Sequence, residues 1–266
     1  MIKIKTELIS GAGNTFHIAF AQSADFFKAA DPHSLMQKAA QQICEKNKAD
    51  GFILLEQETP QKFKWYFFNN DGSDAEMCGN ATRCVGYFIT NNLKQANSPW
   101  LLSTVAGEIQ IASQGAAQFQ VKMSPIKKLN SSLGFFCDTG VPHLVLEFSK
   151  KDLFKNLDQH LKNKSSQLRF HPEHQPRGTN VTYVELLEDP KKLKAVSFER
   201  GVEDFTAACG TGAMAAAYYN LAKRGISETA VEMPGGTLMM NLSNLESPLM
   251  TGPAEKLGSF EYEFKI

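Results

Sequence analysis

The 266-residue sequence has no excess of either charge and no long apolar run. Its 28 Lys and Arg balance 28 Asp and Glu, which disfavours nucleic acid or an anionic membrane as the main partner. No apolar run approaches the length of a membrane span, and the amino terminus alternates apolar and polar residues without a leader-like stretch. We therefore expect a cytoplasmic protein, with no nucleic-acid or membrane partner, that acts on a small molecule.

Motifs for cofactors and metals are also missing. The chain has neither a G-x-G-x-x-G sequence after a strand nor a Walker A sequence. It has no C-x2-C pair, and its odd number of cysteines favours free thiols over a disulfide framework. Cys78 and Cys84 lie too far apart in one helix to bind one zinc ion together. We expect no cofactor and no metal. The five cysteines are Cys44, Cys78, Cys84, Cys137 and Cys209.

The local patterns predict many short strands and few helices. Residues 34–48 have the spacing of an amphipathic helix, with Leu35, Ala39 and Ile43 on one face and Ser34 as its N-cap. Residues 149–177 are basic and polar, and we interpret them as a solvated helix with a connecting loop rather than an anion-binding patch. Strands are predicted within 51–57, 62–68, 101–123, 134–148, 179–188, 193–201, 238–244 and 258–266.

One element occurs twice, once in each half of the chain. The stretches "DAEMCGNATRCVGYF" (74–88) and "DFTAACGTGAMAAAYY" (204–219) align without a gap, so that Cys78-Gly79 matches Cys209-Gly210 and Tyr87 matches Tyr218. Each copy consists of a polar loop, a Cys-Gly pair and an apolar helix. A repeat at half the chain length indicates two similar domains. A helix without a polar face is buried, so each domain is expected to surround its own helix.

A cysteine at the start of a helix has particular chemistry. The first amides of a helix lack intrahelical acceptors and carry partial positive charge, so they bind a carboxylate and lower the pKa of a thiol. Two such ends could supply a thiol to each side of one carbon. Inversion of a stereocentre needs a base on one face and an acid on the other, with the roles exchanged in the reverse reaction. The pattern therefore favours a cofactor-free racemase or epimerase.

The sequence resembles the diaminopimelate epimerase family, which is independent of pyridoxal phosphate. The resemblance is carried by "SGAGNTF" (10–16), "NNDGSDAEMCGNATRC" (69–84), "TGVPHLV" (139–145), "TNVTYVE" (179–185) and "FERGVEDFTAACGTGA" (198–213). It implies an isomerase that converts LL- to meso-diaminopimelate in lysine and peptidoglycan precursor biosynthesis, and it suggests a homodimer.

The resemblance also implies a fold. The family has two similar α/β (α+β) domains, each a curved, mostly antiparallel sheet wrapped around a central helix. The N-terminal domain would comprise residues 1–124 with a returning strand at 255–266, and the C-terminal domain residues 125–254. The active site would occupy the cleft between them.

The resemblance assigns the site residues as follows. Cys78 and Cys209 are the acid–base pair, and His143 and Glu199 match residues that assist the thiols. The backbone amides of Gly79-Asn80 and Gly210-Thr211 hold the carboxylate at the reacting carbon. The positions that bind the amino groups and the distal carboxylate are Asn14, Asn69, Asn180, Glu199 and Arg200.

Four positions depart from the family pattern. The family commonly has Asp at Thr15, Asn at Val141 and Glu at Phe205, and some members have Gln at Gly51. Val141 cannot make the side-chain hydrogen bond that this position usually offers to the far end of the substrate. A racemase of another amino acid on the same fold is therefore the alternative, and a non-catalytic amino-acid-binding protein is a more distant one.

Overall fold

The computed structural model describes residues 2–23, 25–75, 77–96 and 98–264. The chain divides into two compact units, Met1–Val121 with Pro253–Ile266, and Lys122–Gly252. The described residues form 17 strands and four α-helices, so the predicted α/β class, with strands dominating, is confirmed. None of the four helices is long and apolar enough, over the part of the chain described, to cross a membrane.

The first unit has two helices and eight strands. Its helices are α1 (Pro32–Asn47) and α2 (Gly79–Asn91). Its strands are β1 (Ile2–Gly11), β2 (Asn14–Phe20), β3 (Gly51–Thr59), β4 (Lys62–Asn69), β5 (Trp100–Thr104), β6 (Gly107–Ser113), β7 (Gln118–Lys122) and, from the end of the chain, β17 (Glu255–Phe264).

The strands of this unit pair in the order β17-β1-β2-β3-β4-β5-β6-β7. All pairs are antiparallel except β2–β3 and β4–β5. Parallel neighbours need a crossover connection, and α1 and α2 are the two crossovers. The helix α2 packs against β1, β2 and β6. Because β2 and β6 are four places apart in the order, the sheet must curve around α2.

The second unit has the same plan. Its helices are α3 (Gln159–Arg169) and α4 (Gly210–Arg224). Its strands are β8 (Lys127–Leu129), β9 (Phe135–Asp138), β10 (Pro142–Glu147), β11 (Asn180–Leu186), β12 (Lys192–Glu199), β13 (Asp204–Phe205), β14 (Glu228–Met233), β15 (Gly236–Asn241) and β16 (Leu249–Pro253).

The strands of the second unit pair in the order β8-β9-β10-β11-β12-β14-β15-β16, with the short β13 beside the end of β12. The parallel pairs are again the third and the fifth, β10–β11 and β12–β14, and α3 and α4 are their crossovers. Apart from the short β13, each of these strands and helices thus has a counterpart in the first unit, where β17 takes the place of β8. The repeat seen in the two Cys-Gly stretches therefore extends to the whole topology.

The helices α2 and α4 lie in the cores of their units. In α2 all residues from Gly79 to Gly86 are buried, and in α4 residues 212–217 are buried. The helix α4 packs against strands from β9 to β15. The apolar sequences of both helices have no polar face to present to water, which explains why they lie in the cores of their units.

Two local predictions need adjustment. The helix α1 begins at Pro32 rather than after Ser34, because Asp31 is its N-cap and accepts a hydrogen bond from the Ser34 amide (3.1 Å). The segment around α3 is a helix with connecting loops, as predicted, but it is not fully solvated. Leu161 and Ser165 are buried on its inner side.

Candidate active site

Cys78 is the N-cap residue of α2. Its backbone is extended (φ −143°, ψ 120°), and its carbonyl accepts the first intrahelical hydrogen bond, from the Thr82 amide (2.9 Å). The amides of Gly79, Asn80 and Ala81 precede that bond and therefore have no intrahelical acceptor. They form the kind of helix end that binds a carboxylate, as the sequence predicted for Gly79 and Asn80.

A buried arginine orients the asparagines of this half-site. Arg83 donates to the Asn80 side-chain oxygen (2.9 Å) and to the carbonyls of Gly79 and Pro253 (3.3 Å each). With its oxygen held by Arg83, Asn80 turns its amide nitrogen to the Asn14 side-chain oxygen (2.6 Å). The amide nitrogen of Asn14 then remains as the donor for a ligand. The sequence assigned no role to Arg83.

The turn that carries Asn14 packs closely on the first turn of α2. A Cβ atom at Gly11 would lie 2.7 Å from the Asn80 carbonyl oxygen and 2.9 Å from the Cys84 sulfur. Gly13 has φ of 95°, a conformation that glycine adopts without cost. These two glycines of the "SGAGNTF" motif therefore bring Asn14 to the start of the helix.

Asn69 lies at the end of β4, in the loop that leads to Cys78. Its side chain donates to the Ser73 hydroxyl (3.0 Å), and its amide donates to the Ser73 carbonyl (2.8 Å). These bonds fix the loop around Asn69, and they leave the Asn69 side-chain oxygen to face other groups.

Cys209 is the N-cap residue of α4, in the same place as Cys78 in α2. Its sulfur accepts a hydrogen bond from the Gly212 amide (3.3 Å) and lies 3.4 Å from the Thr211 hydroxyl. The Ser197 hydroxyl, on β12, lies close by: a Cβ atom at Gly212 would be 2.0 Å from the Ser197 oxygen and 3.2 Å from the Cys209 sulfur. The helix end thus places the Gly212 amide and two hydroxyls around the sulfur, and Gly210 and Thr211 offer the amides that the sequence predicted.

Burial nevertheless raises the pKa of the Cys209 thiol, and the neighbouring Glu199 carboxylate raises it further. The hydrogen bonds from Thr211, Gly212 and Ser197 act in the opposite direction but are weaker. The expectation that the helix end lowers this pKa is therefore wrong for Cys209 as it stands, because loss of hydration outweighs the helix amides. In this state Cys209 is a protonated thiol.

Glu199, at the end of β12, is the carboxylate beside that thiol. It accepts a hydrogen bond from the Thr206 hydroxyl and interacts with Cys209. Burial raises the pKa of Glu199, while those two contacts lower it by less. A carboxylate of raised pKa is a stronger base than an exposed one.

His143 is fully buried beneath Thr211. Its Nε2 lies 3.0 Å from the Thr211 hydroxyl and 3.2 Å from the Asn180 amide nitrogen, and its Nδ1 lies 2.9 Å from the Thr182 hydroxyl. Burial, together with the Arg200 charge, lowers the pKa of His143 to about 3. The imidazole is therefore neutral at ordinary pH.

Asn180 and Arg200 are joined at the start of β11. The Arg200 backbone amide donates to the Asn180 side-chain oxygen (2.7 Å), and the Arg200 guanidinium donates to the Arg177 carbonyl (3.4 Å). The second unit therefore brings together all the site residues predicted for it: His143, Asn180, Glu199, Arg200, Cys209, Gly210 and Thr211.

The structure shows the contacts of the four positions that depart from the family pattern. Phe205 is partly buried and packs edge-on against Tyr183 and Phe198, which belong to the core of its unit. Thr15 binds the Asp50 carboxylate through its amide (2.8 Å) and its hydroxyl (3.4 Å), so a carboxylate is present here from the residue that precedes β3.

Gly51 and Val141 are the other two positions that depart from the family pattern. A Cβ at Gly51 would lie 2.7 Å from the Phe68 carbonyl, so no side chain fits there without movement. Val141 lies in the turn between β9 and β10, where its carbonyl accepts from the Thr139 amide (3.1 Å). The valine side chain has no polar atom, so it cannot make the hydrogen bond that an asparagine offers at this position.

The sequence analysis missed the hydroxyls of Thr182 and Ser197, which are fully buried. The signal was present, because each is a polar residue between two apolar ones, in "VTY" of β11 and "VSF" of β12. Cys44, Cys84 and Cys137 are core residues, and burial raises the pKa of each. Among the residues that the structure describes, no three side chains are grouped so that they could hold a metal ion.

Several known proteins that are similar to this chain in sequence are diaminopimelate epimerases. The sequence profile of the family described as diaminopimelate epimerase matches residues 11–129 and 135–257. The diaminopimelate epimerase of Hydrogenobaculum sp. (strain Y04AAS1) is 32% identical over 275 aligned positions, covering 95% of this chain and 97% of that protein. That of Aquifex aeolicus is 34% identical over 228 positions, covering 79% and 78%.

Solved structures are similar in fold at much lower identity. The Bacillus anthracis phenazine biosynthesis protein of the PhzF family has a TM-score of 0.73 and 14% identity, covering 99% of this chain and all of that one. A predicted epimerase from Pseudomonas aeruginosa has a TM-score of 0.67 and 14% identity, covering 98% and 100%. At such identity the similarity establishes the two-domain fold alone.

Proposed function

The chain belongs to the diaminopimelate epimerase family, and we propose that it interconverts LL- and meso-2,6-diaminopimelate by moving a proton between two thiols, Cys78 and Cys209. The role in lysine biosynthesis follows from the same membership. The observation that carries the proposal is the repeated cap: each unit places one cysteine at the N-cap of its buried helix, beside amides without intrahelical acceptors.

The two caps have the chemistry that inversion needs. A carboxylate bound by the helix amides would hold its α-carbon near both sulfurs if the two units enclose one substrate. One thiolate then removes the α-proton while the other thiol delivers a proton to the opposite face, and the bond to carbon is re-formed with inverted configuration. The roles exchange for the reverse reaction. The amides of Gly79, Asn80, Gly210 and Thr211 stabilise the negative charge that develops on the carboxylate.

We assign proton transfer at Cys209 to Glu199 rather than to His143. A thiol beside a carboxylate of raised pKa can pass its proton to that carboxylate without separating charge. Protonation of His143 would instead place a second cation beside Arg200 at a fully buried position, and its pKa of about 3 reflects that cost. His143 therefore acts as a neutral hydrogen-bonding group that orients Thr211.

The remaining predicted residues bind the rest of the substrate. Arg200 can clamp the distal carboxylate with two parallel hydrogen bonds. Asn69 and Asn180 can contribute an acceptor or a donor to the distal amino and carboxylate groups, and Asn14 donates from the side chain that Arg83 and Asn80 orient. We further propose a cytoplasmic homodimer whose two domains, divided near residues 124 and 255, close over the substrate.

A racemase acting on a different amino acid is the second candidate. The observation in its favour is Val141, which offers no side-chain hydrogen bond to the far end of diaminopimelate. Phe205 gives this candidate less support, because its partly buried ring packs against the core residues Tyr183 and Phe198.

Proton NMR in deuterated water tests the function. The α-proton signal of LL-diaminopimelate should disappear as meso product forms with the reduced protein. Cys78→Ala and Cys209→Ala should abolish this reaction. Two matched controls, Cys84→Ala in the same helix as Cys78 and Cys137→Ala in the same unit as Cys209, should retain it, since both cysteines are buried core residues.

Three other outcomes would change the assignment. Exchange with another amino acid alone would replace the substrate and keep the thiols. Activity in either active-site cysteine variant would refute the two-thiol mechanism. Binding of amino acids without exchange by the wild-type protein would indicate a binding protein.

A further inference from the structure

A buried chain of hydrogen bonds runs from the loop of Arg200 to the Ser197 hydroxyl, beside the sulfur of Cys209, and its direction can be derived atom by atom. The Arg200 backbone amide can only donate, so the Asn180 atom that it contacts at 2.7 Å is the side-chain oxygen. This fixes the amide of Asn180. Its nitrogen, also a donor only, faces His143 Nε2 at 3.2 Å.

It follows that His143 Nε2 is an acceptor and that the imidazole proton is on Nδ1. A neutral imidazole carries one proton, and a nitrogen that receives a hydrogen bond cannot hold it. The Nδ1 proton is donated to the Thr182 hydroxyl oxygen at 2.9 Å. The hydroxyl hydrogen of Thr182 must then point elsewhere, and the Ser197 hydroxyl lies 2.9 Å away.

The chain ends on the thiol. Since the Ser197 oxygen receives the hydrogen of Thr182, its own hydrogen is left to point towards the Cys209 sulfur, which lies beside the Ser197 hydroxyl at Gly212. Thr182 and Ser197 are both fully buried, so water cannot replace either hydroxyl. Donation from Ser197 stabilises a thiolate at Cys209 more than a thiol.

We propose that Ser197 donates the hydrogen bond that stabilises the Cys209 thiolate, and that Thr182 is a positioning residue that fixes the direction of this bond through the Nδ1-protonated tautomer of His143. The proposal rests on the proposed role of Cys209 as an acid–base group. It adds two residues to the proton-transfer machinery, and it gives His143 and Asn180 a shared structural role in the second unit.

The chain also connects substrate binding to the thiol. Arg200, which is proposed to hold the distal carboxylate, begins the chain with its own backbone amide. A shift of that amide would break its hydrogen bond to the Asn180 side chain. His143 would then no longer be held in its Nδ1-protonated tautomer.

Alkylation of Cys209 without substrate tests the proposal independently of the substrate's identity. The rate of reaction with iodoacetamide is measured against pH by mass spectrometry of the Cys209 peptide, and the Cys78 peptide of the same sample is the internal reference. Ser197→Ala should lower the Cys209 rate about tenfold at a fixed pH, because the thiolate loses a hydrogen bond to a charged group. Thr182→Val should lower it about threefold, and Thr182→Ser should restore it.

Two buried hydroxyls outside the chain serve as matched controls. Ser165 donates to the Leu161 carbonyl (2.7 Å), and Thr229 accepts from Asn220 (3.0 Å), in the same unit. Ser165→Ala and Thr229→Val should leave the Cys209 rate unchanged within a factor of two. An unchanged Cys209 rate in Ser197→Ala, or failure of Thr182→Ser to restore the rate, would overturn the proposal.

The tautomer is tested separately by long-range ¹H–¹⁵N spectra of the labelled protein, with His143 assigned from a His143→Gln variant. The expected spectrum has His143 protonated at Nδ1, with a shift of this proton in Thr182→Val. A proton on Nε2 in the wild-type protein would contradict the derived direction, whatever the reactivity of the thiol.

Discussion

Gly212 lies where the thiol of the second unit has least room, and its replacement by alanine should disable the site. A Cβ at this position would lie 2.0 Å from the Ser197 hydroxyl oxygen and 3.2 Å from the Cys209 sulfur. Ordinary contact begins at 3.4 Å, so the hydroxyl must move by about 1.4 Å (3.4 minus 2.0). Ser197 is fully buried, so this movement displaces other core atoms.

Two magnitudes follow for Gly212→Ala. An extra methyl group in a filled core costs about 1–3 kcal/mol of unfolding free energy. Displacement of a reacting group by about 1 Å can reduce the rate about 100-fold. Urea unfolding measures the first, and kcat for epimerisation measures the second.

A double variant separates the two effects. Removal of the hydroxyl in Gly212→Ala/Ser197→Ala makes room for the added methyl group, so most of the lost stability should return. The rate should stay low, because the donor to the Cys209 sulfur is gone. Wild-type stability and kcat in Gly212→Ala alone would refute the reasoning.

Three further predictions concern the first unit. Arg83→Met should lower the unfolding free energy in urea by about 2–4 kcal/mol, because it leaves Asn80 and two carbonyls without their buried donor; a loss below 1 kcal/mol would contradict this. Burial lowers the pKa of His17 from 6.5 to about 4, so its contribution to stability is present above pH 6.5 and lost as pH falls towards 4. The difference between wild type and His17→Asn should therefore shrink by about 1.4 kcal/mol per pH unit in that range, and a constant difference would refute the shift. Gly51→Gln should lower the melting temperature by several degrees, about 1–3 kcal/mol, because its Cβ overlaps the Phe68 carbonyl; an unchanged melting temperature would show that β3 yields without cost.

Much of the fold could be predicted from the sequence, because its strands carry clear local signals. The apolar helices after Cys78 and Cys209 have no polar face, and this alone predicts their central position. The predicted start of α1 was wrong because Asp31 and Ser34 are both favoured N-cap residues. Only the backbone conformation shows that Asp31 takes this position.

The candidate site was less predictable where several elements meet. The pKa of Cys209 depends on burial and on Glu199, which is ten residues away in sequence, and a helix-end argument alone cannot weigh these terms. The chain through Thr182 and Ser197 joins neighbouring strands, β11 and β12, and its direction depends on a backbone amide at Arg200. Which atom donates in each of these hydrogen bonds can be derived only from the packed structure.

The central claim is that two different groups exchange protons with the two faces of one carbon, and the isotope content of substrate and product tests it most directly. LL-diaminopimelate is converted in deuterated water, and both stereoisomers are analysed at less than about one tenth conversion by NMR and mass spectrometry. If one thiol removes a proton and the other delivers a solvent-derived deuteron, the meso product should carry one α-deuterium while the remaining substrate carries none. Deuterium appearing equally in both isomers, or product that keeps the original proton, would point to a single base and contradict the account.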